Sequence, residues 1–226
     1  MTIDINGITL FYKMSGSGLP LLLLHGNGED HTIFDEIADK LKDHFTIYAI
    51  DSRNHGRSSR TKDCSYDVMA EDLSAFIKAL GLGRVNILGF SDGAIISLIL
   101  AMHDQECIGK MALLGPNLKP EDFTEKSYQY LKSVYEETGD PLFKLMLEQP
   151  DIELDDIKKI MVPTLVVGAE DDIYKPDTFE KIAAALPNAD LKIVGGHDHG
   201  SYIVHNDMMY YDLIRHYLSE DKKIGH

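Results

Sequence analysis

A chain of 226 residues, 44% of them apolar, can bury a substantial core and is short enough for one domain, or one domain carrying an insertion. Its 37 acidic against 22 basic residues give a formal charge of −15 without any local basic patch, which excludes nucleic-acid backbones and anionic membrane surfaces as expected partners. Two distant cysteines, Cys64 and Cys107, make no disulfide framework, and no apolar run approaches membrane-spanning length, so a cytoplasmic protein is expected.

In chain order, residues 8–12 alternate in hydropathy after Asn6-Gly7, which predicts an opening hairpin of two short antiparallel strands at a sheet edge. Leu21-Leu22-Leu23-Leu24 is a continuous apolar run, the pattern of a parallel strand covered on both faces. The same pattern recurs at residues 45–50, 85–88, 111–114, 164–167 and 191–194. Amphipathic helices lie between them: Met69, Leu73, Phe76 and Leu80 share one stripe, and Phe179, Ile182, Ala183 and Leu186 another. This alternation predicts an α/β fold with a doubly wound, mostly parallel sheet.

One interval breaks the rhythm. Residues 118–160 contain no strand pattern, only helical segments near 124–137 and 142–147 separated by Gly139-Asp140-Pro141 and Gln149-Pro150. We read residues 1–117 and 161–226 as the core and 118–160 as a small helical cap over the carboxyl ends of the strands, where ligands bind in open α/β sheets. No repeat or low-complexity segment interrupts the chain.

Residues 89–93 read Gly-Phe-Ser-Asp-Gly, between the strand pattern at 85–88 and the apolar segment 94–102. A strand that turns abruptly into a helix can hold one side chain in a strained conformation at its tip, with glycines where backbones must approach. Ser91 is therefore a candidate nucleophile. A serine hydroxyl needs a histidine base, itself oriented by a carboxylate. Candidates follow two later strand patterns: Gly168-Ala169-Glu170-Asp171-Asp172, then Gly195-Gly196-His197-Asp198-His199. All lie at strand carboxyl ends, so they can converge on Ser91.

With these segments the chain resembles the α/β-hydrolase family over essentially its full length, in the order nucleophile, acid, histidine. His25-Gly26-Asn27-Gly28 is similar to the family's oxyanion loop. Asp51-Ser52-Arg53-Asn54-His55-Gly56-Arg57-Ser58 resembles its Asp-x-Arg-Gly-x-Gly-x-Ser segment, with Asn54 where glycine is usual. Pro176, four residues after Asp172, favours Asp172 by resemblance, while counting three from Gly168 favours Asp171; Asp172 is taken as the acid and Asp171 as its alternate. His199, three residues after Gly196 and just before Gly200-Ser201-Tyr202, matches the family's histidine loop, with His197 the alternate. The resemblance also assigns the backbone N–H groups of Asn27 and Asp92 to an oxyanion hole. His25, Arg53, His55 and Arg57 are read as braces of their loops.

The His-x-His spacing also suits a metal pair, but no further cluster completes a ligand set, so neither metal nor cofactor is expected. Serine at the elbow, where dehalogenases and epoxide hydrolases of this fold have aspartate, implies acyl transfer. The expected activity is hydrolysis of a small or medium carboxylic ester in an open pocket lined by Phe123, Tyr128, Leu131 or Met146. A carbon-carbon bond hydrolase, lyase or perhydrolase shares the same triad, and a non-catalytic binding protein is the reading from another class. The expected partner is a small-molecule substrate, and the oligomeric state is left open.

Overall fold

A computed structural model describes residues 1–204 and 208–219; the remainder of the expected core segment, 205–207 and 220–226, lies outside the described residues. The opening hairpin is β1 (Thr2–Ile5) and β2 (Ile8–Gly16), turned by Asn6 and Gly7, both at positive φ. There follow β3 (Leu19–Leu24), α1 (Asp35–Leu41), β4 (Phe45–Ile50), α2 (Tyr66–Ala79), β5 (Val85–Phe90), α3 (Asp92–Asp104) and β6 (Ile108–Leu114). The segment without strands holds α4 (Glu125–Thr138), α5 (Pro141–Glu148) and α6 (Leu154–Ile157). The chain then returns through β7 (Thr164–Asp171), α7 (Thr178–Ala185), β8 (Ala189–Asp198), α8 (Ser201–Val204) and α9 (Met208–Ser219).

The eight strands form one sheet in the order β1-β2-β4-β3-β5-β6-β7-β8, antiparallel at β1 and β2 and parallel from β4 to β8. Successive strand residues face opposite ways, and here both faces are apolar, which is why the central strands read as unbroken apolar runs. Leu22, Leu24, Ile87 and Leu113 join α2, α3 and α7 in one core. Leu21, Leu23, Leu88 and Leu114 join Phe34 and α9 in the other. No helix among the described residues is long and apolar enough to cross a membrane.

Local signals explain where the helices begin and end. Ser65 caps α2 by accepting from the Val68 N–H, and Thr124 caps α4 by accepting from Ser127. Gly139, at φ +65°, ends α4, and Asp140 with Pro141 immediately starts α5. Helix α3 has no side-chain cap because the residue in that place is Ser91, whose side chain points elsewhere.

Residues 118–160 do not own a separate core. Phe123, Leu131, Leu145, Met146, Ile157 and Ile160 are buried in the same apolar cluster as α2 and α3. Several contacts fasten this segment beside the carboxyl ends of the strands, among them the following. Asn27 Nδ2 donates to the Leu142 carbonyl (3.2 Å), the Tyr66 N–H to Gln149 Oε1 (3.2 Å), and Phe123 forms a β-bridge with Tyr174.

Candidate active site

Ser91 stands between β5 and α3 at φ +51°, ψ −114°, a strained conformation for a residue with a side chain. The neighbouring glycines make the turn possible. A Cβ on Gly89 would lie 2.4 Å from the Gly93 carbonyl oxygen, and one on Gly93 would lie 2.1 Å from the Leu24 carbonyl oxygen. The turn is also pinned to β6, since the Ser91 N–H donates to Leu114 O at 2.8 Å.

His199 reaches this serine from just beyond β8. Its Nε2 is 3.0 Å from Ser91 Oγ, and its Nδ1 is 2.8 Å from Asp172 Oδ1. A carboxylate oxygen only accepts, so Nδ1 carries the proton and Nε2 offers its lone pair to the serine O–H. The Ala169 N–H steadies the other carboxylate oxygen at 3.4 Å, and the Asp172 side chain is 2% exposed. Phe90 and Tyr174 flank the imidazole, with ring centroids at 5.1 and 5.3 Å.

The alternates go elsewhere. Asp171 is exposed and pairs with Asp198 in the β7–β8 ladder, following a register irregularity after Ala169. That bulge turns Asp172, the next residue, toward the imidazole. The Nδ1 of His197 meets Ser201 Oγ at 3.1 Å, away from Ser91. The two histidines therefore serve separate contacts instead of a common centre.

The loop 25–28, expected from the resemblance to be the oxyanion loop, is set by a neutral histidine. His25 Nδ1 donates to Gly26 O (2.8 Å) and its Nε2 accepts the Ser52 N–H (3.0 Å). In a trans peptide the carbonyl and the following N–H point in opposite directions, so fixing Gly26 O toward His25 turns the Asn27 N–H away from it. Burial first, then the neighbouring His55, lowers the His25 pKa to about 4, which keeps the ring neutral. Glu29 closes the loop by accepting the Gly26 N–H at 2.9 Å. Burial raises its pKa above the usual carboxylate value.

On the other side, Asp92 is 3% exposed and its carboxylate accepts from Tyr66 Oη (2.9 Å) and Asn27 Nδ2 (3.0 Å). Burial, the largest influence, raises its pKa, while these hydrogen bonds oppose the rise. The two residues named for their N–H groups are thus also joined through their side chains. Among the described residues neither N–H is engaged by another protein group.

The remaining loop residues act as braces. Arg53 makes a buried two-point ion pair with Asp72 (2.6 and 2.8 Å), and Arg57 lies over the Phe11 ring at 4.0 Å. The Nδ1 of His55 donates to Arg53 O at 2.9 Å. Asn54, the departure from the family segment, takes φ +66°, so asparagine preserves the left-handed backbone that glycine would supply. Asp30, His31 and Asp51 bring potential metal ligands together. The Asp51 carboxylate accepts from the His31 N–H (2.8 Å), His31 Nδ1 (2.7 Å) and the Arg57 N–H (2.8 Å), which suits a structural knot.

The expected pocket lining divides. Phe123 and Tyr128 border a cleft of about 590 Å³ together with Glu121, Glu125, Glu148 and Lys175. Leu131 and Met146 do not line it; they pack inward where α4 and α5 meet the core. Nor does the cleft open on Ser91, which is 4% exposed. Phe123 stacks on Tyr174 at 4.9 Å, and Tyr174 in turn meets His199. Glu29, Tyr66 and Tyr174 had no part in the motif reading, although Tyr174 follows Asp172 by two residues and Glu29 lies three after Gly26.

A doubly wound sheet with a strained serine at this elbow is the arrangement of the α/β hydrolases. The model of the alpha/beta hydrolase fold family matches residues 20–145, and the chain belongs to that family. An AB hydrolase superfamily protein of Bacillus subtilis is 34% identical over 111 residues, which cover 48% of this chain and 41% of that protein. A putative esterase/lipase of Haemophilus influenzae is 25% identical over 218 residues, covering 79% of this chain and 76% of the relative. The chain thus spans less than half of the first relative and about three quarters of the second. Among solved structures, the α/β hydrolase MGS-M2 from a Medee basin deep-sea metagenome library superposes over the whole of both chains with a TM-score of 0.82 at 17% identity, a likeness of fold.

Proposed function

We propose that this protein is a serine hydrolase that cleaves small or medium carboxylic esters through an acyl-enzyme on Ser91. The observation that carries the reading is the continuous chain from Ser91 Oγ to His199 Nε2 (3.0 Å) and from His199 Nδ1 to Asp172 (2.8 Å). In this mechanism His199 takes the Ser91 proton as Oγ attacks the ester carbonyl, and Asp172 holds the imidazole in the required tautomer and stabilises its charged form. The N–H groups of Asn27 and Asp92 receive the developing oxyanion. His199 then returns the proton to the departing alkoxide, and a water activated by the same nitrogen releases the acid. Residues 118–160 serve as a cap that limits the size of the substrate.

The putative esterase/lipase in Haemophilus influenzae is a relative of the same reaction class. Turnover of p-nitrophenyl acetate and butyrate by the protein and by Ser91→Ala tests the reading. Serine-dependent release of p-nitrophenol is expected, and equal release by both proteins would refute it.

A further inference from the structure

Tyr174 is 3% exposed and lies on the loop after β7, two residues beyond Asp172. Its ring stands edge-on to His199 (5.3 Å, 84°), stacks on Phe123 and meets Phe179 edge-on at 6.2 Å. These contacts leave the ring little freedom. They hold the ring against the imidazole that meets Ser91, and a hydrogen bond with the Ser91 side chain is one of the influences on the phenol, lowering its pKa against the larger effect of burial.

The sheet order fixes the side from which it approaches. Ser91 follows β5; Asn27 follows β3, the neighbour on one side, while Tyr174 follows β7, two strands away on the other. Tyr174 therefore lies on the side of Ser91 away from the Asn27 loop. The tyrosine shares its side with His199, the group that must reach both Ser91 Oγ and the departing oxygen.

From this placement we propose that Tyr174 is a further catalytic residue, whose hydroxyl donates a hydrogen bond to the leaving-group oxygen of the ester as the tetrahedral intermediate collapses. This rests on the acyl-enzyme reading. The bond from carbon to the leaving oxygen breaks with its electron pair on that oxygen, and His199 Nε2 delivers the proton it took from Ser91. Tyr174 keeps its own proton and lowers the negative charge the oxygen must carry before that transfer is complete. Burial, and then the nearby Asp172 and Asp92 carboxylates, raise the phenol pKa well above its ordinary value and hold it in the donor form.

The test compares ethyl and p-nitrophenyl esters of one acyl group, which share an acyl-enzyme and differ in how much help the leaving oxygen needs. Rates are normalised to sites titrated with a fluorophosphonate, so that a folding loss cannot imitate a catalytic one. For Tyr174→Phe, kcat/KM should fall roughly ten- to a hundredfold for the ethyl ester and less than about threefold for the p-nitrophenyl ester, which leaves as a stable anion. Equal losses for both esters, or no loss for either, would overturn the proposal. Placing 3-fluorotyrosine at position 174, which keeps the ring and strengthens the donor, should raise the ethyl to p-nitrophenyl ratio; an unchanged ratio would overturn it as well. Ser91→Ala separates the two ideas: persistence of both turnovers in that variant refutes the acyl-enzyme itself, whatever Tyr174 does.

Discussion

Ser91 and the side chains that meet it are held by different means. Every residue of β5 is buried, and the Ser91 turn is imposed by backbone: a positive φ, two glycines without room for a Cβ, and a hydrogen bond to β6. Strand β8 lies at the sheet edge with most of its residues exposed, and His199 just past it is positioned by side chains, namely Asp172, Ser91, Phe90 and Tyr174. A backbone-built feature depends on a few adjacent residues and tolerates no added atom. A side-chain-built one depends on distant partners and tolerates changes in its own loop.

Substitutions at the paired candidates probe this contrast most strongly. His199→Ala should lower kcat by about a millionfold and Asp172→Ala by about ten-thousandfold, while His197→Ala and Asp171→Ala stay within about threefold. Steady-state kinetics on p-nitrophenyl butyrate would check all four, and a large loss at His197 or Asp171 would reverse the assignment. Next come the glycines of the two regions. Gly93→Ala should cost about 3 kcal/mol of stability, because the new methyl meets backbone at Leu24. Gly200→Ala, in the histidine loop with open space around it, should change stability by less than about 0.5 kcal/mol. Urea unfolding of both variants gives the comparison, and equal sensitivity would erase the distinction.

A comparable effect, spread over a pH range, concerns His25. The His25 pKa is depressed to about 4 in the folded protein, below its ordinary value of 6.5, so between those values the unfolded chain binds a proton that the folded chain refuses. Stability from this group is full above about pH 6.5 and declines by about 3 kcal/mol as pH falls to about 4. Unfolding midpoints across that window should slope less steeply in His25→Asn than in the unaltered protein. Identical slopes would show that His25 is not the proton-linked brace of the loop 25–28.

The same contrast explains what was legible in the sequence. The sheet was readable because strands covered on both faces become unbroken apolar runs, and Ser91 because its turn needs glycines within two residues. Between Asp171 and Asp172 the sequence offered only the Pro176 spacing; what sets them apart physically is a bulge in the β7–β8 ladder, which arises from pairing with a strand some twenty residues on. Leu131 and Met146 misled for a related reason: an amphipathic helix shows which face is apolar but not whether core or pocket covers it. Tyr174, Glu29 and the Asp92 carboxylate carry no motif of their own. Their roles depend on neighbours brought together by the fold: His199 for Tyr174, the Gly26 N–H for Glu29, Tyr66 and Asn27 for Asp92.

The most direct test of the account is labelling with a fluorophosphonate followed by mass spectrometry of the intact protein and its peptides. One phosphonyl group per chain on Ser91, with labelling lost in His199→Ala, is the predicted result. A label on another residue, or ester turnover by a protein that takes no label, would contradict it.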